Sequence, residues 1–314
     1  MTRISVVILN WNRKSDTLVC LNSVCELTLE NIKLNIVVVD NNSSDDSRDA
    51  VNKRLKTLLR VKKNISFEQV KNKENLGFAA GNNVGIKVAL KNKSDFIMLL
   101  NNDTVVDKNM LVDLLKVANE YPKAGAFSPK IYFAPGYEFH KDRYSADEKG
   151  KILWYAGGEL DWNNVYGANR GVDEVDNGQY NQVVVTSFVT GACLLIRKEA
   201  LEQVKGFDEK YFMYFEDTDL SVRLKKLGWE TLYAPPSHLW HKVAQSSGIG
   251  SDLNDYFITR NRLLFGMRYA SLRTRFALYK ESLSMLTGGR KWQKQGVRDF
   301  YFGKYGKGSW RQKK

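Results

Sequence analysis

The sequence predicts an α/β fold: a mostly parallel, Rossmann-like central sheet with helices on both faces, followed by a basic helical segment. Three observations carry this expectation. Short apolar runs rich in β-branched residues alternate with stretches of helical periodicity over the first 130 residues, the pattern of a sheet buried on both sides. Each run stops on Asn or Asp: Ile4 to Leu9 at Asn10, Ile36 to Val39 at Asp40, and Phe96 to Leu100 at Asn101, Asn102 and Asp103. Residues 260–314 hold 15 Lys/Arg against 2 Asp/Glu, which accounts for the whole formal charge of +13.

Taken in order, the first strand leads into a helix whose Leu18, Leu21, Val24 and Cys25 share a face behind the start signal Ser15-Asp16. The second strand ends in Asp40-Asn41-Asn42-Ser43-Ser44 before a helical stretch from Asp49 to Leu59, and Ile65 to Val70 alternates as a third strand. The run Asn75 to Gly85, NLGFAAGNNVG, enters a helix through small residues that let backbone approach a ligand or a neighbouring element. It lacks the spacing of G-x-G-x-x-G, so a dinucleotide fingerprint is excluded. A strand at Phe96 to Leu100, a helix around Met110 to Ala118 and an apolar run from Ala124 to Ser128 follow. Right-handed parallel connections bring the polar ends Asn10, Asp40 and Asp103 to one sheet edge, where ligands bind in open α/β sheets.

Residues 133–182 lose periodicity and read as an irregular insertion, with Trp154, Tyr155 and Trp162 near Gly157-Gly158 either stacking on sugars or simply packing. Strand character resumes at Val183 to Val189 and Ala192 to Ile196, and a short helix from Arg197 to Val204 stops at Gly206. Three carboxylates, Glu216, Asp217 and Asp219, then follow an aromatic run at the start of a helix marked by Leu220, Leu224 and Leu227. They suit the positive end of the helix dipole, yet crowded like charges also call for a cation or a substrate hydroxyl. Thr231 to Ala234 reads as a last strand stopped by Pro235-Pro236, leaving His238 and His241 on a helical face or a loop. Helices from Asp252 onward and from Arg273 to Leu286, a break at Gly288-Gly289 and a tail with Trp292, Phe300, Tyr301, Phe302 and Trp310 complete the chain.

Asp103 is a hard oxygen ligand suited to Mg2+ or Mn2+, ions that take few protein ligands; as a strand-end residue it also suits a helix cap. Cys20, Cys25 and Cys193 make neither a metal spacing nor an even disulfide set, and no apolar run approaches the ~20 residues that span a bilayer. A cytoplasmic chain, peripheral on the inner face of the cell membrane, is the expectation. The basic tail suits an anionic membrane surface, and nucleic acid is the less favoured polyanion.

Jointly, SVVILNWN, VVVDNNSSDDS, NLGFAAGNN, LLNNDTVV, FVTGACLLIRKEAL, GFDEKYFMYFEDTDLSVRLKKLGW and His241 resemble family 2 glycosyltransferases of the GT-A fold, rhamnosyltransferase-like members above all. The resemblance covers Ile4 to Arg262 with motif order intact. It implies an inverting enzyme that moves a sugar from a nucleotide-diphosphate donor, dTDP-rhamnose or a UDP-sugar, to a hydroxyl of a glycan or lipid-linked acceptor. Asp40 then holds the base or ribose, with Asn10, Asn12, Asn75, Gly77 and Asn102 around the donor. The family's D-x-D position is Asn101-Asn102-Asp103 here, so Asp103 is the carboxylate ligand of the metal and His241 its partner. Asp217, second residue of the family's E-D motif, is the general base, and Arg260 and Arg262 are candidates to neutralise the diphosphate. The implied organisation is a GT-A domain over 1–250, divided into a nucleotide half (1–130) and an acceptor half (131–250), with a basic helical segment over 251–314. A sugar nucleotidyltransferase would carry a glycine-rich loop after the first strand, and Asn10-Trp11-Asn12-Arg13 has no glycine. A non-catalytic nucleotide-sugar-binding protein is the third reading; metal-dependent transfer or hydrolysis separates it from the enzymes.

Overall fold

A computed structural model describes residues 1–60, 62–243 and 251–311. The boundary expected at 250/251 falls at residues 244–250, outside the described ones. β1 (Thr2–Asn10), β2 (Ile32–Asp40), β3 (Ile65–Lys71) and β4 (Phe96–Asn101) form the parallel half of the sheet in the spatial order β4-β1-β2-β3. On the other side of β4 run β11 (Cys193–Arg197), antiparallel, then β6 (Ala124–Phe133) and β12 (Glu230–His241), parallel to each other, then the edge strand β10 (Val184–Val185). The α/β class with helices on both faces is thus borne out, with antiparallel β11 as the seam.

The two-sided burial explains the apolar runs. Val6, Ile8, Ile36, Val38, Met98 and Leu100 point to the face covered by α1 (Lys14–Cys25), α2 (Ser47–Leu58) and α4 (Met110–Glu120). Their neighbours Val7, Val37, Val39, Ile97 and Leu99 point to the face covered by α3 (Gly77–Lys91), α5 (Lys198–Val204) and α6 (Glu216–Lys226). A strand with both faces buried needs apolar side chains at every position, so alternation disappears.

Two expectations change. Pro235-Pro236 do not stop the last strand, because β12 runs on to His241 with its register against β6 shifted between Ala234 and His238. Proline lacks the N–H for the ladder, and the sheet absorbs the pair as an irregularity rather than an end. His238 and His241 therefore lie on a strand, where a spacing of three puts them on opposite faces. Of the run Val183 to Val189 only Val184 and Val185 form a strand, at the sheet edge, while Phe188 makes an isolated bridge to Gly158. The insertion holds β7 (Leu153–Tyr155), which pairs with β6, and a hairpin of β8 (Gly158–Asp161) and β9 (Tyr166–Asn169). Three helices close the chain: α7 (Asp252–Tyr269), α8 (Leu272–Gly288) and α9 (Lys291–Tyr301).

Candidate active site

Strand register brings the polar tips together. Asn10 pairs with Asp40, Leu9 with Asn101, and the short β5 (Thr104–Val106) runs antiparallel to the end of β12, so that Thr104 faces His241. The turn between β4 and β5 thereby sets Asp103 against His241, with Oδ1 3.1 Å from Nε2. The Lys242 N–H donates to the Asp103 carbonyl (2.8 Å) and pins the two chain segments together. Burial pushes the Asp103 carboxyl up, but the charge and hydrogen bond of His241, aided by Arg13, outweigh it and hold the group below its ordinary value. Trp154 stands edge-on to the His241 ring, and the imidazole Nδ1 is buried without a hydrogen-bond partner.

A divalent ion fits this pair. Adjacent ligands of an octahedral ion with bonds of about 2.1 Å lie about 3 Å apart, the separation found between Oδ1 and Nε2. No group of three or more His, Cys, Asp or Glu is gathered to cage an ion among the described residues, so the remaining ligands would come from diphosphate and water. His238 stands apart, 3.8 Å from Asp107.

Asp103 and His241 line a cleft of about 460 Å³ together with Asn101, Trp154, Glu216 and Asp217. Asp217 sits in the first turn of α6, where Oδ2 accepts from the Gly191 N–H (3.0 Å) and Oδ1 from the Thr218 N–H (2.7 Å) and hydroxyl (3.2 Å). Burial raises its pKa and these bonds oppose the rise, which moves a carboxylate base toward neutral pH. Glu216 is raised much further, by burial first and then by the charge of Asp217, and its Oε2 has no hydrogen-bond partner. In its protonated form Glu216 is a hydrogen-bond donor beside the base. Asp219 belongs elsewhere: it is fully buried and accepts from Arg223 (2.6 Å), Tyr211 (3.2 Å) and Tyr269 (2.8 Å), tying α6 to α7.

The segment before Glu216 is strained. Phe212, Tyr214 and Phe215 have φ of 64°, 67° and 69°, a left-handed conformation unusual for bulky residues. Two neighbours hold it. The Phe212 carbonyl accepts from the Phe78 and Ala79 N–H groups at the start of α3, and the ring packs so closely that a Cβ on Gly77 would stand 2.5 Å from it. Gly77 itself has φ +78°, so its glycine serves a tight chain approach. From the other side, buried Asn261 on α7 donates to the carbonyls of Tyr211 (2.9 Å), Met213 (2.8 Å) and Tyr214 (2.9 Å).

Arg260 and Arg262 do not line the cleft. Arg260 is fully buried and donates to the carbonyls of Gly306 (2.7 Å), Tyr211 (3.0 Å) and Lys210 (3.2 Å); Arg262 makes a bidentate pair with Glu281. The Arg13 guanidinium contributes positive charge near Asp103, and Arg13 and Lys242 both pair with Asp16, at 3.3 Å and 3.4 Å, but neither lines the cleft. Asn261 was missed although it stands between the two arginines. A signal existed: a buried asparagine inside a helix is disfavoured unless its amide has work beyond the helix.

The expected donor residues lie at the strand ends, and most are occupied with one another. Asn10 donates to Ser43 and Ser47 and accepts from Thr17 and Asn102. The Asn12 Oδ1 accepts from the N–H groups of Ser44 and Asp45, while Asn75 accepts from Asn41 and the Gly77 N–H. Asp40 differs, since its Oδ1 accepts from the Ser43 N–H while Oδ2 is buried with no partner. Of the three insertion aromatics expected near a sugar, Trp154 reaches the cleft, where Tyr166 joins it, while Tyr155 is buried and Trp162 stacks on Phe265.

Residues 2–266 match the family model described as glycosyltransferase like family 2. The chain is 30% identical over 223 residues to the N-acetylglucosaminyl-diphospho-decaprenol L-rhamnosyltransferase of Mycobacterium tuberculosis, a match that spans 68% of each chain. It is 28% identical over 170 residues to the rhamnosyltransferase WbbL of Escherichia coli K12, across 52% of this chain and 60% of that one. Among solved structures, a Pyrobaculum calidifontis mannosyltransferase in complex with GDP-Man and Mn2+ superposes with a TM-score of 0.56 at 16% identity, covering 96% of this chain and 74% of that one. GalNAc-T7 with UDP, GalNAc and Mn2+ gives 0.59 at 15% identity, covering 96% and 57%.

Proposed function

The chain belongs to the family 2 glycosyltransferases, and from that premise we propose that it transfers a sugar, with inversion, from a nucleotide-diphosphate donor to a hydroxyl of a glycan or lipid-linked acceptor. The observation that carries this reading is that one cleft is lined by both the Asp103–His241 pair and the half-buried carboxylate Asp217. Rhamnose carried on dTDP is the favoured donor because the two relatives named above are rhamnosyltransferases; UDP-sugars are the alternative. The name of the mycobacterial relative, which includes a diphospho-decaprenol, supports a lipid-linked acceptor.

In the proposed reaction the acceptor oxygen bonds to the anomeric carbon as the bond from that carbon to the diphosphate breaks. Asp217 takes the hydroxyl proton. Its two oxygens are fixed by Gly191 and Thr218, so the carboxylate does not have to reorganise as the proton arrives. Arg13, whose charge is felt at Asp103, and Lys242, both paired to Asp16, are the cations we assign to the departing diphosphate. A divalent ion, Mg2+ or Mn2+, held by Asp103 and His241, supplies Lewis-acid neutralisation of the same charge. Asp40, with its free carboxylate oxygen, is the group to accept a ribose hydroxyl or base N–H.

The test is a panel of nucleotide sugars incubated with the protein, each divalent ion and a lipid-linked or glycan acceptor. Transfer from one donor, abolished by chelation and reduced by about 10²-fold or more in Asp103→Ala, is expected. Transfer indifferent to both chelator and Asp103 would remove the metal assignment.

A further inference from the structure

The amphipathic pattern of α8 faces both ways. Its inner face packs Leu278 against Gly266 of α7 and buries Thr274 and Ser282. Its outer face carries Leu272, Phe276, Tyr279 and Leu283, which are 43–81% exposed. The steps of four, three and four keep these four side chains within one narrow stripe, about 60° wide at roughly 100° per residue. Large apolar side chains concentrated on one exposed face mark an interaction surface.

The surroundings of the stripe specify its occupant. The Lys280 ammonium lies 4.6 Å from the Phe276 ring, with its stem along the apolar stripe. The Tyr301 hydroxyl meets Ser282, which ties the last turn of α9 to α8, and the next residue, Phe302, is 76% exposed. The outer face of α9 presents Lys291, Lys294 and Arg298, which with Trp292, Gln295 and Ser309 line a recess of about 550 Å³. No described helix is long and apolar enough to cross a membrane. The same segment of a second copy, residues 260–314, would bring 15 more basic and 2 more acidic residues against this surface and be repelled.

We propose that the outer faces of α8 and α9 form a docking surface for an anionic lipid bilayer, the stripe Leu272, Phe276, Tyr279 and Leu283 entering the interface while Lys291, Lys294 and Arg298 meet lipid phosphates. Apolar insertion rimmed by basic residues is how an interfacial helix binds without spanning. The inference stands apart from the reaction proposed above, because vesicle binding is read without donor or acceptor.

The experiment is sedimentation of the full-length protein with vesicles of phosphatidylcholine, with and without phosphatidylglycerol, at low and raised salt. Binding is expected on the anionic vesicles only, weakening as salt rises. Phe276→Ser with Leu283→Ser, and separately Lys291→Glu with Lys294→Glu, are expected to weaken it by about tenfold or more while leaving the thermal midpoint near that of the parent. Equal binding to neutral vesicles, or unchanged binding in either variant, would overturn the proposal. So would a dimer in sedimentation velocity that dissociates in the Phe276→Ser, Leu283→Ser variant, since the stripe would then face a second copy.

Discussion

The two halves of the sheet edge are built by different means. At the ends of β1 and β2 the chain uses neutral amides that satisfy one another: Asn72 donates to Asn41, Asn41 to Asn75 and the Gly77 carbonyl, and Asn102 to Asn10 and Thr17. At the start of α6 it places the buried Glu216 beside the half-buried Asp217, behind three left-handed non-glycine residues. In the first region the left-handed non-glycine residues are asparagines, Asn12 and Asn42, which tolerate that conformation, and the one unpartnered atom is Asp40 Oδ2. In the second the left-handed residues are bulky and Glu216 Oε2 has no partner, and the loop persists because α3 and α7 grip it from either side. Carboxyls with raised pKa and backbone strain concentrate where chemistry is performed, which is why the reaction proposed above is centred on the second region.

Breaking the grip is expected to have the largest effect on stability. Asn261→Ala removes its three hydrogen bonds to the loop carbonyls and the one its Oδ1 accepts from Arg260, for a loss of about 3 kcal/mol or more in urea unfolding. Turnover should fall with it, even in protein kept folded at low temperature, because Asp217 follows directly on the released loop. Unchanged turnover in such folded protein would show that the left-handed segment does not position the base.

Glu216→Gln sharpens the contrast from the other side. A carboxyl with a raised folded pKa contributes stability that is present below its unfolded pKa and lost as pH rises through the folded value. The glutamine variant should therefore be more stable than the parent by about 1–3 kcal/mol at pH near 8, with the difference vanishing toward pH near 4. A variant less stable than the parent across that range would mean that the second oxygen of Glu216 is well satisfied in solution.

A smaller effect is expected at Thr218. Its hydroxyl lowers the raised pKa of Asp217, so Thr218→Val should shift the acidic limb of the rate profile to higher pH by about half a unit to one unit. A limb that stays in place would take the titration away from Asp217.

The same contrast explains what the sequence reveals. Strand ends, the polar tips Asn10, Asp40 and Asp103 and the helix starts are written in local pattern, because an apolar run bounded by Asn or Asp follows from burial on both faces of the sheet. The resemblance singled out Asp217 and His241, which sit 3.0 Å from the Gly191 N–H and 3.1 Å from Asp103 respectively. What local pattern does not carry is contact across the chain. Asn261 meets a loop 47–50 residues earlier, and Lys242 reaches Asp16 across 226 residues. The arginines drew attention by charge, whereas the neutral residue between them makes the contacts that shape the loop. Pro235-Pro236 misled for the opposite reason, since a local rule about strand breaking was overridden by pairing with β6 and β5 on either side of the irregularity.

The measurement that tests the account most directly compares Asp217→Asn with the parent in donor binding and in single-turnover transfer. The variant preserves shape and removes the proton acceptor, so donor affinity should stay within a few-fold while transfer falls by about 10²–10⁴-fold. Transfer close to that of the parent, with donor bound equally well, would contradict the assignment of Asp217 as the base.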